Sequence, residues 1–252
     1  MNPDELQKHV FGTYISLRRG MTWIGALLPF VLYGIGAAYG IRLAGSMSEY
    51  YWAAAGDVVP ARNVFVGGLF AVAACLWLYK GFSPRENVAL NLAGLFAMGV
   101  ALVPMADPRL PPDGKLSVHG ACGVLLFLCL AFVMWFCKEE TLKHLPPDKA
   151  SRYRKTYNAL GLVMLASPVS AFVANAFFHA ADPSSRNSFV FWVEAIGIAA
   201  FAFYWQTKSQ EFKLSNAMGL AAAGRLHTSA DGQAAPAPQA APAPAVASPA
   251  PA

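Results

Sequence analysis

Long apolar runs alternate with short polar stretches along this chain. The runs are 23–43, 64–79, 88–105, 119–136, 160–178 and 189–204. A helix needs about 20 apolar residues to cross roughly 30 Å of hydrocarbon. The pattern therefore predicts an all-α, polytopic membrane protein, a bundle of six transmembrane helices. Residues 1–21 read as an N-terminal cytoplasmic or interfacial segment and 22–206 as the transmembrane domain. Residues 207–252 read as a cytoplasmic tail, disordered from about 215, where Ala, Pro, Gln and Ser take over.

Local signals refine this division. Pro29 and Pro168 fall inside apolar runs and predict kinks. Gly36 and Gly40 form a GxxxG, which permits close helix approach. Ser83, Pro84 and Glu86 have the spacing of an N-cap, first helical residue and capping-box acid, so the third helix starts at about Pro84. Trp192 and Trp205 are placed as interfacial anchors of the sixth span. The first apolar run is too long for a signal-peptide core and reads as an uncleaved anchor.

Charge then orients the bundle. Of 252 residues 56% are hydrophobic and 13% charged, against about 25% charged in an ordinary soluble domain. The formal charge of +5 points to topogenic loops rather than nucleic acid. With six spans, fourteen Lys and Arg fall on the side of the termini and five on the other. The positive-inside rule then puts both termini in the cytoplasm, with a bacterial inner membrane as the setting. The four cysteines show no CxxC spacing and read as small hydrophobes.

The side opposite the termini collects the candidate chemistry. The loop 45–63, GSMSEYYWAAAGDVVPARN, supplies Ser46, Ser48, Glu49, Tyr50, Arg62 and Asn63. His119, His179 and Glu194 stand at the corresponding ends of later spans. A carboxylate inside a membrane is costly unless paired or protonated, and Arg62 is the partner expected for Glu194. His119 and Glu194 are the candidate acid and base; Ser48, Glu49, Tyr50, Arg62, Asn63 and His179 are the candidate ligand-binding groups. Spacing gives no HxxxH or HExxH, so no metal site is expected and the cofactor is left open. No polar group is evident deep in the middle of the bundle.

The order of a first span, a Ser-x-Ser-Glu loop (Ser46, Ser48, Glu49), Pro60, Arg62 and Asn63 ahead of the second span, and a Pro-bearing gap before His119 resembles the DRAM-type membrane proteins and a related bacterial six-span family. The likeness covers about residues 22–136. It implies a lipid-facing role at the outer leaflet, in a superfamily that includes proteins linked to GPI-lipid remodelling, and carries over Ser48, Glu49, Arg62 and His119.

Three functions compete. The outer polar groups bind or modify a lipid; or the chain is a non-enzymatic assembly or sensing partner, working through the basic loop 137–157 and the tail; or it transports a small molecule or ion, as Glu194 and the two prolines suggest. The expected partners are membrane lipids, together with a homo-oligomer or another membrane protein, and no nucleic acid.

Overall fold

A computed structural model describes residues 3–107, 117–181 and 187–215, with side chains described except at 3–4, 6–8 and 175–181. The expected tail from 216 onward lies outside the described residues. Within them the chain is all-helical, with one isolated bridge, Ala55 to Val58. The helices are α1 (Pro3–Ala38), α2 (Arg62–Leu78), α3 (Pro84–Leu102), α4 (Val118–Phe136), the single turn α5 (Glu139–Leu142), α6 (Pro147–Ala181) and α7 (Phe189–Ser215). A 3-10 turn, Ser48–Tyr51, lies in the loop after α1.

Four stretches are long and apolar enough to cross a membrane: His9–Ala38, Val118–Leu142, Pro147–Ala174 and Phe189–Ser215. Helix α2 is apolar but has 17 residues. Helix α3 has 19 and opens on Pro-Arg-Glu-Asn. The six long helices nevertheless pack as one closed ring. Each touches its neighbour in the order α1, α2, α3, α4, α6, α7, and α7 returns to α1. Large side chains point outward all round it, Trp23, Phe30, Leu78, Leu102, Phe136, Phe172 and Ile196 among them. In water such a surface would be an association site; in hydrocarbon it is the solvated face.

The caps follow the local sequence. Ser83 Oγ accepts the Glu86 amide at 3.2 Å, and the Glu86 carboxylate returns to the amide of Phe82 at 2.8 Å, one residue before the cap. Ser117 caps α4 in the same way, from the Gly120 amide. Helix α1 closes on Gly40, whose φ of 70° puts it in the left-handed region. The amide of Ile41 reaches the Gly36 carbonyl and that of Gly40 the Ala37 carbonyl, the paired bonds of a Schellman end. Gly40 therefore ends a helix. Gly36 seats a ring, since a Cβ there would lie 2.8 Å from Tyr50 Cε1. The GxxxG thus serves a helix end and a ring contact rather than a close helix approach.

Three expected boundaries move. Helix α6 begins at Pro147, inside the stretch 137–157 expected to be a basic loop. Helix α1 runs unbroken from Pro3 through Pro29, so the N-terminal segment and the first span are one rod of 36 residues, about 54 Å at ~1.5 Å per residue. Helix α7 continues to Ser215, and its last two turns are packed. Lys208, Glu211, Phe212 and Ser215 are buried, so packed helix continues past the expected end of the transmembrane domain at residue 206. Trp205, expected at an interface, is fully buried.

The interior divides along the ring axis into two packed halves. One, next to the 3-10 turn, holds Leu28, Leu32, Met47, Tyr50, Phe65, Leu69 and Phe191. The other, toward α5, holds Met21, Leu76, Tyr79, Met134, Tyr157, Tyr204 and Trp205.

Candidate functional site

The loop between α1 and α2 folds back over its end of the ring and seals it. Its anchor is Tyr50, which is 0% exposed and meets Phe191 edge-on at 6.2 Å between ring centres. Burial raises the pKa of its phenol above the ordinary value. Tyr50, expected to bind ligand, instead belongs to the packed interior.

Backbone and side-chain bonds then tie the loop to α7 and to the segment just after α3. The Phe191 amide donates to the Gly45 carbonyl at 2.7 Å. The Met47 amide donates to Glu194 Oε2 at 2.7 Å, and Trp52 Nε1 donates to the Met105 carbonyl at 3.0 Å. Within the loop, Glu49 Oε2 accepts the Gly45 amide at 2.8 Å, while the Glu49 amide donates to Ser46 Oγ at 3.2 Å. Gly45 has to be glycine for this, because a Cβ would fall 2.7 Å from Glu49 Oε1.

The loop also brings Ser48 to His119. Their Oγ and Nε2 atoms are 2.9 Å apart. The other ring nitrogen, Nδ1, lies 2.7 Å from the Val103 carbonyl at the end of α3. A carbonyl can only accept, so Nδ1 carries a proton. In the neutral ring Nε2 is then a lone pair facing the serine hydroxyl, an assignment made from the bonding partners. This is the arrangement of a nucleophile beside its general base, with the imidazole held in one tautomer by a second bond. Ser48 is half-buried and His119 is 8% exposed, so the pair sits just under the surface.

The remaining expected site residues divide. Arg62 does not pair with Glu194: its Nε donates to the Tyr51 carbonyl at 2.7 Å, and its guanidinium lies 4.6 Å from the Tyr51 ring centre. Glu194 has taken a backbone amide as partner, and the space beside it at Gly197 is filled by Phe127 and Ser167, each within 2.7 Å of where a Cβ would stand. Asn63 is exposed and borders an apolar groove between α1 and α2, with Trp23, Leu27 and Gly67. The His179 side chain lies outside the described residues. Ser48, Glu49, His119 and Glu194 therefore converge on one loop, while Arg62 and Asn63 sit at its rim. Among the described residues no three His, Cys, Asp or Glu side chains come together as metal ligands.

A second polar cluster lies at the other end of the ring, where the sequence placed the N-terminal segment, the basic loop 137–157 and the tail, and no candidate site. Lys208 and Glu211 form an ion pair at 2.9 Å with side chains 2% and 0% exposed. Lys208 Nζ also donates to Thr141 Oγ1, and Tyr157 Oη donates to Glu211 Oε2, both at 2.6 Å. Arg18 of α1 joins them, donating from Nε to Ser209 Oγ at 3.1 Å and stacking 4.7 Å above the Phe212 ring. Glu86, also buried, has its pKa pushed up by burial and held back by the nearby charge of Lys208. One signal was available in the sequence. The apolar stripe Phe201, Trp205, Phe212 continues past the end of the span at helical spacing, and Lys208 and Ser215 fall on it.

Comparison with protein-family models, with curated proteins and with solved structures finds no match for this chain.

Proposed function

We propose that this chain is a six-span membrane protein with both termini in the cytoplasm, and that it modifies an ester-bearing lipid at its outer face through Ser48 and His119. The single observation behind this reading is the 2.9 Å contact between Ser48 Oγ and His119 Nε2, with Nδ1 bound to the Val103 carbonyl. The closed ring of α1, α2, α3, α4, α6 and α7 supports six spans, since α2 and α3 have the same two-sided packing as the four longer helices. The excess of Lys and Arg on the side of the termini supports their cytoplasmic placement. The likeness of residues 22–136 to the DRAM-type superfamily agrees with an outer-leaflet lipid role.

In the proposed reaction Ser48 Oγ attacks the ester carbonyl carbon and its proton passes to His119 Nε2. The carbonyl carbon then loses its bond to the leaving alcohol, whose oxygen takes that proton from Nε2. The acyl group, now on Ser48, leaves by the same steps in reverse, onto water or a second hydroxyl. Glu194 and Glu49 are positioning residues: they hold the amides of Met47 and Gly45 and so fix the turn that carries Ser48. Arg62, at the rim, offers positive charge to a phosphate headgroup.

The test is the lipid profile of membranes carrying the wild type, Ser48→Ala or His119→Gln, with folding checked by size exclusion in detergent. Loss of one lipid product in both variants, with the folded peak kept, supports the reaction. An unchanged profile supports a second reading, in which the loop is a structural plug. That reading is favoured by both carboxylates being spent on backbone amides.

A further inference from the structure

Between α1 and α2 the outward surface of the ring opens into a groove of about 400 Å³, within the size range of small-molecule sites. Trp23, Leu27 and Val31 of α1 form one wall, an exposed row at four-residue spacing. Asn63, Gly67 and Gly68 of α2 lie on the other side. The two glycines make the groove. A Cβ on Gly68 would stand 3.0 Å from Leu28 Cδ1, so the buried Leu28 closes the floor there. A Cβ on Gly67 would meet nothing within 4 Å, so the space above that floor stays open.

Length and polarity say what fits. From Trp23 to Val31 the row runs about 12 Å at ~1.5 Å per residue. One leaflet of hydrocarbon is about 15 Å deep, half of the ~30 Å core. The groove therefore matches one acyl chain, and is too short to seat a second copy's helix across the whole membrane. The polar side chain in its lining is Asn63, exposed in the first turn of α2. Arg62 stands directly before it. The Tyr51 carbonyl holds Arg62 Nε at 2.7 Å, and the guanidinium lies over the rings of Tyr51 and Trp52, 4.6 and 5.8 Å from their centres. A guanidinium has five N–H donors, of which Nε–H is spent on Tyr51. A planar cation held in place with donors to spare is the chemistry that takes a phosphate oxygen. Positive charge at the loop end and an apolar slot below it together fit an anionic amphiphile lying along the helices.

We propose that the α1–α2 groove binds a membrane glycerophospholipid, with its phosphate on Arg62 and Asn63 and one acyl chain along Trp23, Leu27 and Val31. The proposal deepens the lipid reading above by giving a lipid its seat, and rests on that reading only in having α1 and α2 cross the bilayer. It does not depend on the reaction of Ser48 and His119.

The full chain in a non-ionic detergent, given a phosphatidylglycerol with a photoreactive diazirine on one acyl chain, tests this without a variant. A diacylglycerol with the same chain is the comparison. Crosslinks located by peptide mass spectrometry should fall within 23–31 and 63–68, about tenfold more from the phospholipid than from the diacylglycerol, the weight of one charged hydrogen bond. Arg62→Gln should bring the phospholipid down to the diacylglycerol level. Gly67→Leu puts a side chain into open space, and should remove labelling of both segments while the size-exclusion peak is kept. Ser48→Ala should keep the labelling, so failure of the reaction and failure of the seat are told apart. The proposal is overturned by equal labelling from the two lipids, by labelling spread evenly over the outward faces of the ring, or by labelling that survives Gly67→Leu. A dimer that Gly67→Leu converts to monomer would put a second copy in the groove and overturn it as well.

Discussion

The two ends of the ring are closed by opposite means. At the loop end the seal is a stretch of backbone around a buried ring. Tyr50 fills the mouth, and Glu49, Glu194 and Ser46 satisfy amides. Arg62, the cation expected to pair with Glu194, is bound to a carbonyl instead. At the α5 end the seal is made of charged side chains from distant segments, Arg18, Glu86, Lys208 and Glu211, interleaved with tyrosines. The first kind of seal holds side chains in place cheaply, because a carboxylate on an amide orients a turn. The second concentrates charge where there is no water, so its stability depends on each partner being present. The difference is one of means: carboxylates holding backbone amides at one end, a buried ion pair among tyrosines at the other.

The strongest way to break this comparison is to remove one charge. Lys208→Ala leaves Glu211 buried and unpaired, and should cost about 3–5 kcal/mol, read as a lower unfolding midpoint in detergent. Replacing both partners with apolar residues, Lys208→Met with Glu211→Leu, should recover most of that loss. If the single and double variants melt alike, the charged seal is not what holds this end. At the other end the matching change is Tyr50→Ala, which empties the mouth and should cost about 3 kcal/mol. A small effect there would mean that the loop is not part of the core.

Ser48→Ala and His119→Gln sharpen the contrast rather than break it. Each removes one hydrogen bond of the loop and should cost about 1 kcal/mol in the same melts, while lipid turnover is lost. The smallest expected effect is that of Arg154→Ala. Its pair with Glu139 is exposed, and exposed pairs contribute little, so the melting curve should not move. A large shift would show that the α5 end relies on surface charge as well as on the buried cluster.

How much of this was legible in the sequence depends on what kind of signal each feature leaves. The cap at Ser83 leaves a local signal, and α3 and α4 start within a residue or two of where the pattern places them. Glu194 was visible as an acid in need of a partner, but its partner is the amide of Met47. A backbone donor has no letter of its own, so the sequence offered Arg62 instead. Ser48 and His119 are 71 positions apart, and no spacing rule connects them. Lys208 and Glu211 fell within the expected cytoplasmic tail because they follow the end of an apolar run. Their burial follows from where α1, α5 and α6 pack, which is tertiary information, though the stripe of Phe201, Trp205 and Phe212 runs straight through them.

The central claim is that the serine beside His119 is a nucleophile on the outer face. Intact cells expressing the chain can be treated with a membrane-impermeant fluorophosphonate, and the modified residue located by peptide mass spectrometry. The account predicts an adduct on Ser48 in the wild type, no adduct in Ser48→Ala, and loss of the adduct in His119→Gln although the serine is still present. Absence of labelling at Ser48 in intact cells, or labelling that survives His119→Gln, would contradict it.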